Sequence, residues 1–359
     1  ATSPEQLIAA RIGQGAMAGL MQPMGMYLVF RIFPRNRRGQ AMGIYGMGVI
    51  LAPALGPVLG GFLVDQLDWR YVMFAPVPVT LTGVFMAWRF LPLPVSRPAP
   101  YRFDFPGLVL LGAAIGLSLD TLNRLQELAG QEARIAIEGA VAVIALVLFV
   151  IRERRARHPL VNIELLRNPA FVYANVGAMA LGLALFGSTY LVPLFVQTAL
   201  EFTATEAGLL MLPAGIVLGM TFPLAGRLAD RLSARKLVIF GIVLFAMSAM
   251  LFAVSDIELA FGWLALWTVL GRIGIGFMLP ALSTGALNPL APEQLGAGSS
   301  TINFTRQLGG AFGVNIVALT IEFGDHSGGI PTIGAFHSAW WLVAVFVAMA
   351  AIPVWKMRV

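Results

Sequence analysis

Long apolar runs, separated by short polar or basic segments, make up most of this chain. A helix needs about 20 mainly apolar residues to cross a bilayer, and several of the runs are that long or longer. A membrane β-barrel would instead show short segments in which apolar and polar residues alternate. The pattern therefore predicts an all-α, polytopic membrane protein with about eleven spans. They are 4–31, 39–64, 71–92, 105–123, 134–151, 170–198, 205–226, 236–254, 260–286, 294–321 and 336–355.

Composition agrees with this class and excludes several other classes of protein and site. Hydrophobic residues make up 58% of the chain and charged residues only 12%, whereas about a quarter of an ordinary soluble domain is charged. The sequence contains no cysteine, so it offers no disulfide, thiol nucleophile or cysteine-bound metal. Neither Lys236 nor Lys356 follows a glycine-rich phosphate loop, and His158, His326 and His337 lack metal-ligand spacing. We therefore expect no enzyme, no cofactor and no metal site.

The basic residues predict the orientation in the membrane. Most of the 24 Lys and Arg residues lie in every second connection and in the C-terminal tail. By the positive-inside rule, these connections and the C-terminus of a multi-pass protein of the cell membrane are cytoplasmic. The net charge of +6 therefore reflects topology, and no nucleic-acid partner is expected. Ala1 would then lie on the opposite face, which suggests that an odd number of helices is missing before it.

The polar connectors divide the chain into three parts. A proline-rich basic stretch (91–107) and a second basic stretch (152–171) enclose two shorter apolar runs. We predict that 1–92 forms the last three helices of an N-terminal bundle, that 93–169 is a connector with two extra helices, and that 170–359 forms a six-helix bundle. "RIGQG" at 11–15 recurs as "RIGIG" at 272–276, and both copies run in the same direction, as in the parallel repeats of transporter halves.

The second span is unusually rich in glycine and proline. Its core reads "GMGVILAPALGPVLGG" (46–61), and Gly56 and Gly60 have the spacing that lets two helices touch backbone to backbone. Pro53 and Pro57 remove backbone donors and bend the helix. The pattern predicts a kinked helix that packs closely and can roll against a neighbour, although composition alone favours tight packing without a mechanistic role.

Three arginines, Arg11, Arg272 and Arg306, lie within predicted spans, where charge usually marks function. No carboxylate lies near the middle of any predicted span. A proton-coupled carrier would need a buried acid; for a chain of that class, we expect the missing helices to supply one opposite Arg11. A structural role, with hydrogen bonds to carbonyls or water, remains open for Arg272 and Arg306.

Other polar and soft side chains at membrane depth are candidates for a substrate path, because methionine adapts to varied apolar ligands. Packing against lipid or neighbouring helices is the alternative for each. The candidates are Met17, Met21, Gln22, Asn175, Tyr190, Gln197, Asn303 and Gln307.

The basic connection at 226–236, "GRLADRLSARK", combines Asp230 with Arg231 and Arg235. Asp230 is expected to cap a helix end, and the cluster suits a breakable latch between bundles. A solvated loop that only sets topology is the alternative, since exposed ion pairs contribute about 0–1 kcal/mol.

Several of these segments resemble one transporter family. Gly43, Gly56, Pro57, Gly60 and Gly61 follow the spacing of the antiporter signature of the major facilitator superfamily, with Ala52 in place of one usual glycine. "LIAARIGQGAMAG", with Arg11, Gln14 and Gly15, resembles the signature of the preceding helix. "WRYVMFAPVPV" and "SSTINFTRQLGGAFG" are similar to segments of the fourteen-helix drug:proton antiporters of the EmrB/QacA type. "GRLADRLSARK", with Gly226 and Asp230, resembles the cytoplasmic loop of the superfamily, although Ser233 replaces a glycine.

The resemblance implies a two-bundle fold, about eleven of fourteen helices, and proton-coupled efflux by alternating access. The implied partners are protons, the lipid bilayer and small hydrophobic or amphipathic substrates. Whether a periplasmic adaptor protein is also a partner is left open. A metabolite or siderophore exporter on the same fold is the alternative. A channel would show rings of polar pore residues, and a membrane scaffold would not need three arginines at depth.

Overall fold

The protein is described by a computed structural model over residues 3–49, 63, 67–91, 103–126, 131–156, 159–256, 260–324, 326–327 and 330–357. These residues are almost entirely helical, apart from two-residue strands at His326–Ser327 (β1) and Ile330–Pro331 (β2) that pair antiparallel. A π-helical turn, Leu183–Gly187, joins α7 to α8. The helices are α1 (Pro4–Ile32), α2 (38–49), α3 (Trp69–Phe74), α4 (Pro76–Phe90), α5 (Phe105–Arg124), α6 (Glu132–Arg155), α7 (Pro169–Gly182), α8 (Ser188–Thr198), α9 (Ala204–Ala229), α10 (Ala234–Ala253), α11 (Phe261–Leu287), α12 (Leu295–Glu322), α13 (Ile333–Met349) and α14 (Ala351–Trp355).

Polar side chains set several helix starts. Ser3 accepts a hydrogen bond from the backbone N–H of Gln6 and caps α1. Thr203 and Glu206 form a reciprocal capping box at the start of α9. Each such cap satisfies N–H groups that lack a partner within the helix, and its loss typically costs about 1 kcal/mol.

Eight helical stretches in the described part of the chain are long and apolar enough to cross a membrane. They coincide with eight of the predicted spans, from 71–92 through 260–286 and at 336–355. α1 and α12 are also long, at 29 and 28 residues. Their polar residues lower their mean hydropathy below that of the eight stretches, so they are not counted among them. The predicted span 39–64 is described only in part.

Helices α7 to α14 pack together and are called the C-terminal bundle below. Its largest buried side chains are aromatic, and Phe252 stacks on Trp340 with ring centroids 4.5 Å apart. Because lipid tails are as apolar as these rings, dense packing holds such a bundle together more than exclusion of water does. In contrast, the residues of α1 from 8 to 21 are exposed.

Helices α5 and α6 form a hairpin that ion pairs hold at both ends. At one end, Arg124 lies 2.9 Å from Asp120 and 3.1 Å from Glu138. At the other, Arg152 lies 2.6 Å from Asp104, the residue that caps α5. Hydrogen bonding to the Arg152 guanidinium lowers the pKa of the Asp104 carboxyl, which keeps this carboxylate charged and the junction closed.

Candidate functional site

Helices α2 and α9 touch backbone to backbone near their predicted cytoplasmic ends. A Cβ atom placed on Gly43 would lie 2.4 Å from the carbonyl oxygen of Phe222, and one on Gly226 would lie 2.3 Å from the carbonyl oxygen of Gly39. Both distances are far below a van der Waals contact, so each position requires glycine. The partner of the glycine-rich helix is therefore α9 of the C-terminal bundle.

Asp230, which directly follows α9, extends this contact. Its carboxylate accepts hydrogen bonds from the backbone N–H groups of Gly39 at 2.6 Å and Gln40 at 2.8 Å. These N–H groups belong to the first turn of α2, where the helix dipole also favours a negative charge. Asp230 thus caps a helix end, but the end belongs to the N-terminal half of the chain.

A third link lies beside this cap. The Arg38 guanidinium donates to Oδ1 of Asn288, just beyond the end of α11, at 3.2 Å. The glycine contact, the Asp230 cap and the Arg38–Asn288 bond are together called the cytoplasmic contact. Asn288 was not predicted from the sequence, although a polar residue directly after an apolar helix was a usable signal.

The other predicted gate residues lie elsewhere. Arg235 donates to the carbonyl oxygen of Trp355 at 3.2 Å, and its guanidinium lies 5.6 Å from the centre of the Trp355 ring. Arg235 therefore holds α14 against α10 inside the C-terminal bundle. Arg231 is exposed. Of the proposed latch, the structure brings only Gly226 and Asp230 to α2.

A second group of polar residues joins α1 to α12. Nη2 of Arg306 donates to Oδ1 of Asn303 at 2.6 Å and to Oε1 of Gln22 at 3.1 Å. Nε2 of Gln307 donates to the same Gln22 oxygen at 3.2 Å. Arg306 is only 7% exposed, and its buried Nε atom has no hydrogen-bond partner within the described ranges. These four residues are called the mid-membrane cluster.

The depth of this cluster follows from helix geometry. Gln22 lies ten residues before the end of α1, and Arg306 lies eleven residues after the start of α12. At 1.5 Å per residue, both side chains are about 15 Å from the predicted cytoplasmic helix ends, which is about half the thickness of the hydrocarbon core. With α1 and α12 as membrane spans, as the sequence predicts, Gln22, Asn303 and Gln307 would lie near the middle of the bilayer.

Tyr45 connects the cluster to the glycine-rich helix. Its hydroxyl donates to the backbone carbonyl of Gln22 at 2.9 Å, and its ring covers Gly25. Sequence reasoning missed Tyr45, although it is a single phenol in a helix of small and aliphatic residues. Because Tyr45 is two residues from Gly43, the cytoplasmic contact and the mid-membrane cluster share α2.

Arg272 does not join the other arginines. It lies within the C-terminal bundle, 5% exposed, and its Nη2 donates to Oγ1 of Thr189 at 3.1 Å. Thr189 is the second residue after the π-helical turn, a feature often found at functional sites.

The remaining candidates are dispersed. Arg11 donates to Oε1 of Gln14 at 2.8 Å on an exposed part of α1, where a Cβ on Gly15 would meet nothing within 4 Å. Met17 and Met21 are also exposed there. Two further candidates bond within their own helices: the buried Asn175 donates to the Phe171 carbonyl, and Gln197 donates to the Pro193 carbonyl. The side chain of Tyr190 is partly exposed.

Four residues of the antiporter signature, Gly56, Pro57, Gly60 and Gly61, lie outside the described residues. In the part of the chain that is described, no group of three His, Asp or Glu residues could hold a metal ion.

Comparisons with known proteins concern nearly the whole chain. The family model of the Major Facilitator Superfamily matches residues 1–314. Multidrug export protein EmrB of Escherichia coli is 33% identical over 322 residues, which are 88% of this chain and 62% of that protein. Multidrug resistance protein B homolog of Mycobacterium tuberculosis is 32% identical over 329 residues, 89% of this chain and 60% of that protein. The chain thus spans about three fifths of the length of these relatives.

Other similar proteins extend the comparison. Lincomycin resistance protein LmrB of Bacillus subtilis is 28% identical over 323 residues, covering 89% of this chain and 67% of that protein. A crystal structure of the human organic anion transporter MFSD10 aligns with a TM-score of 0.60 and 18% identity, over 92% of this chain and 66% of that one. At this identity the likeness concerns the fold, which is an all-α polytopic membrane fold.

Proposed function

Because this chain belongs to the Major Facilitator Superfamily, we propose that it works as a secondary active transporter that exports hydrophobic or amphipathic compounds in exchange for protons. The names of its relatives, a multidrug export protein and two resistance proteins, support the substrate class. The observation that carries the mechanism is the cytoplasmic contact, in which Asp230 of one half of the chain caps α2 of the other half.

In this proposal the cytoplasmic contact closes the inner side of the transporter and opens once in every cycle. Opening breaks the hydrogen bonds of Asp230 and Arg38 and separates Gly43 from Phe222. Each hydrogen bond has a net value of about 1 kcal/mol, so the closed and open states differ by an amount that a ligand or a proton can offset. Because glycines form the contact between α2 and α9, the two helices can separate and meet again without rearranging side chains.

The mid-membrane cluster is proposed to meet the substrate. Gln22 and Gln307 are amides, and Arg306 keeps one buried N–H group without a partner in the described part of the chain. Such groups can hold the polar end of an amphipathic compound, while Met17 and Met21, on the preceding turns of α1, suit its apolar end. Asn175, Tyr190 and Gln197 are proposed as more distant positions along the path.

Arg11 and Gln14, which hydrogen-bond to each other, are proposed to take part in proton coupling with an acid from outside the described residues. Replacing Arg11 with Ala is expected to abolish proton-driven efflux, because the acid would lose the neighbouring cation that favours its charged form. Unchanged efflux in this variant would refute the role of Arg11.

The remaining proposals concern organisation. Residues 1–92 belong to the N-terminal bundle, 93–169 form a connector with two extra helices, and 170–359 form the second bundle. The protein lies in the cell membrane with its C-terminus in the cytoplasm, and a periplasmic adaptor stays open as a partner.

Dye extrusion tests the proposed function directly. The protein is expressed from its complete gene in cells that lack their own efflux pumps, and dye export is measured with and without a proton uncoupler. Export that stops on uncoupling is expected. Export that needs energy but ignores the uncoupler would point to another driving force, and no export of any apolar cation or amphipathic dye would contradict the substrate class.

A further inference from the structure

A small cavity lies in the C-terminal bundle, where α8, α10, α11 and α13 meet. Its volume is about 10 Å³, measured as the space in which the centre of a water-sized particle can lie. This is room for one such particle. Its polar lining consists of Ser188, Ser248, Thr268, Arg272 and Trp340.

The cavity holds a buried positive charge. Arg272 is 5% exposed, and its Nη2 donates to the neutral hydroxyl of Thr189. The five ion pairs found within the described ranges do not include Arg272, and the described residues that line the cavity include no acid. A buried charge is costly unless an opposite charge and hydrogen bonds compensate it.

A second donor at the cavity also lacks a partner. Trp340 is 1% exposed, and its indole Nε1 has no hydrogen-bond acceptor among the described residues. An indole N–H can only donate. The buried Trp340 nitrogen therefore calls for an acceptor, and the Arg272 guanidinium, which lines the same cavity, calls for an opposite charge.

The hydroxyl groups of the lining already use their hydrogens. Ser188 donates to the carbonyl of Ala184, Ser248 to that of Trp267, and Thr268 to that of Leu264. The donors left for a bound particle are therefore those of Arg272 and Trp340.

We propose that this cavity binds a single halide-sized anion, chloride in the cell, between the Arg272 guanidinium and the Trp340 indole N–H. A water molecule would accept both hydrogen bonds but would leave the arginine charge uncompensated. An anion accepts the hydrogen bonds and also compensates the charge. The site is independent of the proposed transport function. Its anion would link α11 to α13 and so stabilise the core of the C-terminal bundle.

Thermal unfolding of the purified protein tests this proposal at constant ionic strength. The unfolding temperature of the wild type is expected to rise when chloride or bromide replaces gluconate, because an anion that binds only the folded state stabilises it. Trp340→Phe removes one charge-assisted hydrogen bond and is expected to weaken the apparent affinity for chloride about tenfold. Trp341→Phe is the matched control, because its neighbouring side chain is 44% exposed and should leave the chloride effect unchanged.

Arg272→Gln should remove the chloride effect altogether. If that variant does not fold, crystals of the wild type grown in bromide decide, because the anomalous signal of bromide should appear between Arg272 and Trp340. Equal unfolding temperatures in chloride and gluconate, with no bromide signal in the cavity, would mean that a water molecule fills it and would overturn the proposal.

Discussion

The first two helices of the chain meet the C-terminal bundle in two places that are built very differently. At the cytoplasmic contact, backbone meets backbone at Gly43 and Gly226, and the short side chain of Asp230 caps a helix end beside the Arg38 hydrogen bond. In the mid-membrane cluster, long side chains span the gap, and Gln22 accepts from both Arg306 and Gln307. The first contact is fixed by geometry, whereas the second can adjust to what lies beside it.

This difference suggests a division of labour. Two glycine-lined helices can meet in only a narrow range of positions, because close-packed interfaces switch between discrete arrangements and do not deform continuously. Side chains such as Arg306 and Gln22 can rotate to accommodate ligands of different shapes. We therefore expect substitutions at the cytoplasmic contact to stop all transport and substitutions in the mid-membrane cluster to change which compounds are transported.

The largest effect is expected from Gly43→Leu. Its side chain would collide with the Phe222 carbonyl, which lies 2.4 Å from the position of the first added atom, so the cytoplasmic contact could not close. Dye efflux should fall to the background level at normal protein abundance. The matched control is Gly48→Leu on the same helix, where an added Cβ meets nothing within 4 Å. Equal losses of efflux in both variants would show that the loss comes from replacing a glycine of α2 and not from the collision with Phe222.

The second effect concerns Arg306. Arg306→Gln leaves Asn303 and Gln22 without their charged donor, and such a loss in a buried network costs about 1–3 kcal/mol, or about tenfold or more in efflux of affected compounds. The loss should differ between compounds, which a panel of dyes and drugs can measure. Arg306→Lys keeps the charge without the planar fork and should restore part of the activity. A uniform loss for every compound would assign Arg306 to closure and not to substrate binding.

A smaller effect is expected from Asp230→Asn. The amide offers one acceptor oxygen instead of two and no charge, so the cap on α2 should weaken by about 1 kcal/mol, about fivefold in the balance between closed and open states. Since the chain has no cysteine, Ala41→Cys on α2 provides a single buried reporter, and its labelling rate from the cytoplasmic side should rise. Arg231→Ala, one residue away and exposed, should leave that rate unchanged.

The smallest effect is expected from Arg235→Ala. This change removes the contact with Trp355 within the C-terminal bundle, which should lower the unfolding free energy by about 0.5–1 kcal/mol. Efflux should stay within about a factor of two of the wild type because the cytoplasmic contact is intact. A fall in efflux well beyond twofold at normal protein abundance would place Arg235 in the gate after all.

The sequence was sufficient for the features that depend on local pattern. Apolar length located eight spans, and the polarity of 226–236 singled out Asp230, whereas the predicted contact of Gly56 and Gly60 lies outside the described residues. The partners could not be predicted, because they depend on how distant segments meet. Nothing local shows that Asp230 caps α2, that Gln22 meets Arg306, or that Arg272 lies inside one bundle and away from the interface. Tyr45 was missed because its neighbours define a packing helix.

The distance between spin labels at Arg37→Cys and Arg231→Cys tests the central claim most directly. Both residues are exposed and lie beside the start of α2 and the end of α9. Measured in lipid at different pH values and with substrate, the distances should fall into a short and a long population whose proportions change with conditions. A single short distance under all conditions, in a protein that still exports dye, would contradict a cytoplasmic contact that opens during transport.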